Sequence, residues 1–407
     1  MTTTTDQVID YNPLLLEPDP YPTYRRLPDE APVYRGHCDA GEFWALSRFA
    51  DVQAAARDWE TFSSAEGNDL DDTGLLFGPG PSMDICAPPI HTRQRAALKR
   101  EFRREVVETR LQPVARRKVR QLLDRLADTD QFDFAQEFGY PLPFGVICDW
   151  LGLPATDHEQ LMRWHATMLS RTPGKAALPP GAMSAQREMF DYLREAVTWR
   201  RAKPQDDLLT VLAGALDGGV MSEDEVLANA FFLFDAGIVS TSALLSSALL
   251  HLHTFAEQRQ LLWSHPELVP TAVEEMLRFD APFQWFTRVT TREVELHGVP
   301  IPVGARVVLI WASANRDERH WTDPDELRVN RRPQRHLSFS DGIHHCLGNG
   351  LARMEARVLL EELIPALTDY HIVGPVERRI TPSERTIVRL PLAVRWSPQR
   401  RRTDDGA

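Results

Sequence analysis

Apolar and polar positions along this 407-residue chain change character twice. Up to about residue 90, short extended and helical pieces alternate and proline cuts between them. Glu17–Tyr24 (EPDPYPTY) reads as a loop entering a helix, and Tyr34–Ser47, with Gly41 near its middle, as a β-hairpin. Gly67–Pro89, rich in Gly, Pro and Asp, predicts a long loop of the kind that carries function. From Thr92 to about Leu216 the spacing is mostly helical, with one break at Thr172–Ala182 (TPGKAALPPGA). The composition of the 67–89 loop and of the 172–182 break predicts that both are mobile. No internal repeat, low-complexity tract or linker divides the chain, so 1–407 is expected to be one domain, with a disordered tail from about 399.

Val226–Leu250 (VLANAFFLFDAGIVSTSALLSSALL) is different: apolar on every face, with Asp235 its one charge. Ser222 and Glu225 form a capping box ahead of it, with Met221 and Val226 as a hydrophobic staple. At 25 residues it is long enough to cross a bilayer. Asp235, the polar run Ser240-Thr241-Ser242 and the polar chain on either side favour a helix buried through the middle of a large helical protein.

Composition narrows the partners. The net charge of −12 argues against nucleic acid, which needs a basic face, and leaves small neutral substrates open. Cys38, Cys86, Cys148 and Cys346 are too few for a disulfide framework and none has metal-site or redox-pair spacing. The first residues, MTTTTDQVIDYNP, have neither a basic nor an apolar leader region, so a soluble cytoplasmic protein without membrane contact is expected.

The sharpest chemistry lies in Phe339–Gly348 (FSDGIHHCLG), a loop that places Cys346 just before a helix running from about Asn349 to Leu367. Ala352, Ala356, Leu359 and Leu363 make its inward stripe. A thiolate at a helix N-terminus is stabilised by the helix dipole and by free N–H groups. Such an arrangement suits a ligand whose charge is held on sulfur, open on one side to a flat cofactor.

This stretch resembles the haem-binding loop of the cytochrome P-450 family, Phe-x-x-Gly-x-(His/Arg)-x-Cys-x-Gly, at every fixed position. Glu275-Met276-Leu277-Arg278 is similar to the family's Glu-x-x-Arg, with Arg331 as the third member of its ion-pair network, and Ala314-Asn315-Arg316-Asp317 also looks like the family's. The resemblance covers most of the chain. It implies a mainly α cytochrome P-450 fold, a large helical body with a small β-rich lobe near the N-terminus. It also implies haem b, with Cys346 as the iron ligand, and His91, Arg95, Arg288 and His344 as partners of the propionates. Phe339 would pack beside the haem, and the backbone around Leu347 and Gly348 would tune the sulfur. Cys38, Cys86 and Cys148 carry no motif and read as structural.

The buried helix departs from the family's (Ala/Gly)-Gly-x-(Asp/Glu)-Thr. Ala236-Gly237-Ile238-Val239-Ser240-Thr241 keeps the glycine, expected to leave room over iron, and keeps the hydroxyl as Ser240 with Thr241 beside it. The acid is replaced by Val239. Asp235, one turn earlier on the same face, is the candidate substitute for feeding protons. A similar Ala-Gly-x-x-Ser-Thr string occurs in the branch of the family that couples aromatic rings of cyclic dipeptides.

Substrate contacts are expected from Leu75, Leu76, Phe77 and Met83 in the long loop and from Phe232, Asp235 and Ala236 on the buried helix. Phe283, Gln284 and Trp285 follow the Glu-x-x-Arg helix, and Thr386, Ile387 and Val388 lie near the C-terminus. The expected activity is hydroxylation of a small aromatic or polycyclic secondary metabolite, using dioxygen and two external electrons. A ferredoxin with its reductase is the implied donor, since no flavin domain fits in the chain, and a monomer is expected. The alternatives are oxidative C–C coupling of aromatic rings on a cyclic dipeptide-like substrate, and a non-catalytic haem sensor, against which Gly237 and Ser240 argue.

Overall fold

The computed structural model describes residues 9–15, 17–71, 78–379 and 381–398. The expected buried segment is the middle of a longer helix, Glu223–Thr254. Its capping box forms as the sequence requires: the Ser222 hydroxyl accepts from the Glu225 N–H at 3.2 Å, and the Glu225 carboxylate from the Ser222 N–H at 2.8 Å. Glu223 and Asp224 in the first turn and His251 and His253 in the last complement the dipole and carry the helix beyond both ends of the apolar run. Helices Pro141–Leu151, Leu208–Asp217, Val269–Phe279 and Asn349–Ala366 pack round it. Surrounded in this way, a helix needs no polar face. It passes a length and hydropathy test for a membrane span, yet 72% of its most apolar stretch is buried within the protein, the setting of a core helix.

The helical stretch 92–216 includes Ile90–Leu98, Gln112–Arg125, Pro141–Leu151, His158–Met168, Ala182–Ala202 and Leu208–Asp217, with a short strand, Gln131–Asp133, inserted. Pro141 occupies the first turn, where its missing N–H costs nothing, and Gly152, at φ 87°, ends that helix in the left-handed region. The proline- and glycine-rich break separates Met168 from Ala182 as expected. Cys38, Cys86 and Cys148 are all buried, as small hydrophobes.

The β-rich lobe is built from two distant parts of the chain. The expected hairpin, Val33–Cys38 with Gly41–Leu46, is there, but its second strand runs parallel to Arg306–Leu309, which pairs antiparallel with Phe286–Thr290 and through it with Phe62–Ser63. The sequence reading placed this lobe near the N-terminus alone. The later strands are short and buried on both faces, so they lack the alternation that marks a half-exposed strand. This sheet carries Arg288, on Phe286–Thr290 opposite Val307, towards the helical body.

Candidate haem-thiolate site

The cysteine loop is fixed by buried charge before any ligand is considered. Asp341, 4% exposed, accepts from Gln53 Nε2 at 3.0 Å, Arg57 Nε at 3.1 Å and its neighbour's N–H, that of Gly342, at 2.7 Å. Gly342 sits at φ 68° against the backbone of the helix Phe49–Arg57, where an added Cβ would fall 2.6 Å from the Ala56 carbonyl oxygen. No other residue fits there. The loop then closes on itself, the Cys346 N–H donating to the Phe339 carbonyl at 2.9 Å. Behind it Glu275 takes Arg278 through both oxygens, at 2.8 and 2.9 Å, and Arg331 at 3.0 Å. Asn315 bridges to Leu337 N and Ser338 Oγ, tying the segment ahead of the loop to this network.

Cys346 opens into a cavity of about 240 Å³ whose opposite wall is the central helix. Burial pushes its thiol up, and the Gly348 N–H, Arg95 and Arg353 offset only part of that push. A Cβ at Gly348 would stand 4.0 Å from Sγ, an ordinary van der Waals contact, so space beside the sulfur does not by itself require this glycine. Helix Asn349–Ala366 starts directly behind, as expected. Ala356, Leu359 and Leu363 on its stripe are buried; Ala352 instead borders the cavity.

Four of the expected cationic or donor groups converge on the same side. Arg95 and Arg288 border the cavity, and neither makes a salt bridge among the described residues; their donors reach only the His345 carbonyl at 2.6 Å and the Thr287 carbonyl at 2.6 Å. Burial pulls Arg288 down to about 10, with Asp84 opposing. His344 hydrogen-bonds Ser64 Oγ at 2.9 Å, and burial, reinforced by Arg288 and His91, pulls it down to about 2. His91 packs against the His344 ring with centroids 4.6 Å apart, and its buried Nε2 has no hydrogen-bond partner among the described residues. Two unanswered arginines and an orphaned imidazole nitrogen beside a thiol fit a flat dianionic group ligated by sulfur. Phe339 borders the cavity too, under the Arg353 guanidinium at 4.4 Å.

On the opposite wall stand Gly237, Val239, Ser240 and Thr241. At Gly237 a Cβ would lie 2.8 Å from Ile147 Cγ1, so the glycine lets two helices touch. Ser240 Oγ donates back to the Ala236 carbonyl at 3.2 Å. Asp235 borders the cavity and is not alone; its Oδ1 lies 2.9 Å from His165 Nε2, and His165 Nδ1 lies 2.8 Å from the Tyr140 hydroxyl.

Of the expected substrate contacts, Met83, Phe232, Ala236 and Phe283 border this cavity. Gln284, Trp285 and Ile387 do not. Gln284 is turned inward to donate to the Ala281 carbonyl at 2.6 Å, Trp285 is locked in the apolar cluster with Tyr24 and Leu27, and Ile387 faces the helical core from a two-stranded ribbon. Trp285 stands next to Phe286, which does border the cavity, and neighbours on an extended chain point to opposite sides. Thr386 and Val388 do not border it either. Leu75, Leu76 and Phe77 lie outside the described residues, as does the segment from 399.

Sequence reasoning missed the polar part of the wall. Asn68, Asp69 and Asp84 from the long loop, Arg171 at the helical break and Glu384 near the C-terminus all border the cavity. Arg171 Nε meets Asp71 Oδ2 at 3.1 Å, joining the long loop to the residue just ahead of the break. Burial pushes Asp69 up to about 8 and Asp84 up to about 6. No spacing rule pairs such distant residues. His165 did leave a trace, because it shares the buried stripe of its helix with Leu161 and Met168, where an apolar side chain is expected.

Comparison with known proteins agrees with the geometry. The family profile described as Cytochrome P-450 matches residues 180–368. "Cytochrome P-450 130" of Mycobacterium tuberculosis is 37% identical over 389 residues, covering 93% of this chain and 94% of its own. Among solved structures, the bacillaene polyketide synthase cytochrome P-450 PksS of Bacillus subtilis 168 superposes with a TM-score of 0.86 at 29% identity, over 95% of this chain and all of its own. CxnD, described as a cytochrome P-450 enzyme for C–S bond formation in chuangxinmycin biosynthesis, superposes at 0.83 with 28% identity, over 92% of this chain and 94% of its own.

Proposed function

The chain belongs to the cytochrome P-450 family of haem b monooxygenases, and on that premise we propose that it hydroxylates a small aromatic or polycyclic secondary metabolite in the cavity between Cys346 and the central helix. The family works on small molecules with electrons from redox partners; for this chain we infer a ferredoxin and ferredoxin reductase, serving a single-domain, monomeric, cytoplasmic enzyme. The observation that carries the reading is Cys346 facing Gly237 and Ser240 across a cavity whose near side holds the unanswered charges of Arg95 and Arg288.

Haem, when bound, supplies the activation of dioxygen and the one-electron chemistry. The residues around it do the rest. Cys346 holds the iron, with its charge eased by the Gly348 N–H. Arg95, Arg288, His91 and His344 answer the two propionates. Phe232, Ala236 and Phe283 offer an apolar face that orients the substrate and excludes water. Ser240 and Thr241 present hydroxyls on the opposite wall, where a proton must be held or passed.

A second reading, oxidative coupling of aromatic rings, is favoured by Val239, which removes the usual acid from the helix. Spectral titration of the ferric protein separates the two. Simple aromatic metabolites that displace the iron-bound water and shift the haem to high spin support hydroxylation. Tight binding of Tyr- or Trp-containing cyclic dipeptides alone supports coupling, and no shift with either panel contradicts both.

A further inference from the structure

We propose that Asp235 hands protons to the cavity in place of the carboxylate missing at Val239, and that His165 and Tyr140 are the positioning residues that hold it there. The proposal rests on the haem-thiolate reading above and concerns this chain's own side chains.

Three polar groups from three helical elements form one hydrogen-bonded line. Tyr140 stands at the start of Pro141–Leu151, His165 lies within His158–Met168, and Asp235 lies on the central helix. A carboxylate oxygen only accepts, so the 2.9 Å contact puts the proton on His165 Nε2. In the Nε2–H tautomer Nδ1 is left as an acceptor for the Tyr140 hydroxyl, 2.8 Å away. Both contacts therefore point their donors towards Asp235, which fixes the imidazole tautomer and the carboxylate's orientation together.

The line is set in apolar surroundings. His165 is unexposed and meets the edge of the Phe234 ring at 5.3 Å, while Tyr140 stacks on Phe144 at 5.6 Å. Apolar side chains would pack such positions with no desolvation cost, so the buried polar line needs a reason beyond packing. Its end supplies one. Oδ1 of Asp235 is taken by His165, whereas Oδ2 takes no hydrogen bond from a described residue, and the side chain borders the cavity one turn ahead of Val239 on the same face. A tether between helices would have no need to end at the cavity wall.

The transfer balances simply. Protonated Asp235 releases its Oδ2 proton to the cavity and becomes a carboxylate, whose charge the His165 Nε2–H stabilises. One proton taken up from solvent restores it. Asp84 is the other carboxyl in the wall close enough to feel Asp235, and Arg379 is the cation nearest Tyr140 in effect.

The test uses the full haem-loaded chain with a ferredoxin and its reductase, and the tightest-binding compound of the aromatic panel as probe. Asp235→Asn should lower product formed per electron about tenfold, releasing hydrogen peroxide instead, with the probe's spectral Kd unchanged within twofold. Adding Val239→Asp to that variant should restore most of the coupling. His165→Gln, which keeps a donor for Asp235, should fall less than His165→Leu, and Tyr140→Phe should cost about two- to threefold. Independently of turnover, ¹⁵N-histidine NMR of the diamagnetic ferrous–carbonyl form should show His165 protonated at Nε2, moving towards Nδ1 in Asp235→Ala. Unchanged coupling in Asp235→Asn would overturn the proposal. So would a more than tenfold rise in Kd with coupling intact, since Asp235 would then be a substrate anchor. A wild-type protein without a thiolate-type haem spectrum would instead remove the reading beneath it.

Discussion

Gly237 is where the central helix touches Ile147: a Cβ at 237 would stand 2.8 Å from Ile147 Cγ1 and 3.0 Å from Cδ1. Overpacking of this kind typically costs about 1–3 kcal/mol, against about 1 kcal/mol gained by replacing a helical glycine with alanine. Gly237→Ala should therefore lose roughly 1 kcal/mol in urea denaturation, despite its better helix propensity. Ile147→Val placed alongside should recover part of the loss by withdrawing a methyl group from the contact.

The Glu275–Arg278 pair behind the cysteine loop should prove costly to break. Glu275 is 3% exposed and Arg278 1%, and Arg331 shares the same carboxylate. Glu275→Gln would leave two guanidinium groups without their counter-charge, and losing one partner of a buried pair costs about 3–5 kcal/mol. Denaturant midpoints should fall accordingly, and haem should be lost early in the transition because the loop is anchored there.

Two buried aspartates give stability opposite slopes with pH. For Asp280, burial pushes the carboxyl up, but Arg385 at 3.1 Å, His251 at 2.9 Å and Arg378 outweigh it and hold the group well below the usual range. The unfolded chain then binds the proton first, so this contribution is present above about pH 4 and is lost as pH falls towards the folded value. Asp84, pushed up to about 6 by burial, contributes stability below about pH 4 that is lost as pH rises through 6. Denaturation midpoints followed from pH 3 to 8 should show the acid limb flattened in Asp280→Asn and the pH 4–6 decline flattened in Asp84→Asn.

Arg288 should govern cofactor retention. It reaches the cavity from a sheet strand and makes no salt bridge among the described residues, and a charge-assisted hydrogen bond contributes about 1.5–3 kcal/mol. Arg288→Met should lose haem to an excess of apomyoglobin about tenfold faster than the parent protein, with its far-ultraviolet circular dichroism unchanged. Equal transfer rates would contradict the role given to it.

What the sequence made legible follows the range of the interactions. The capping box of Ser222 and Glu225, the hairpin at Gly41 and the glycine turn ahead of Cys346 are local, and each is written within a few residues. The central helix was legible too, because an all-apolar run in a polar chain has few ways to be buried. Contacts between distant segments were not. Asp235 and His165 stand 70 residues apart, and Trp44, on the strand Gly41–Leu46, pairs with Val307 far along the chain. Trp285 shows a limit of another kind: its aromatic ring suited a pocket as well as a core, and only the direction of the strand it precedes decides which.

Cys346 as the haem-iron ligand underlies every other role assigned to the cavity. Its test is the absorption spectrum of the reduced, carbon monoxide-treated protein beside Cys346→Ala. The parent should show the long-wavelength Soret band that thiolate ligation gives, and Cys346→Ala should lose that band. A thiolate-type band surviving in Cys346→Ala, or a parent protein whose spectrum is that of histidine-ligated haem, would contradict it.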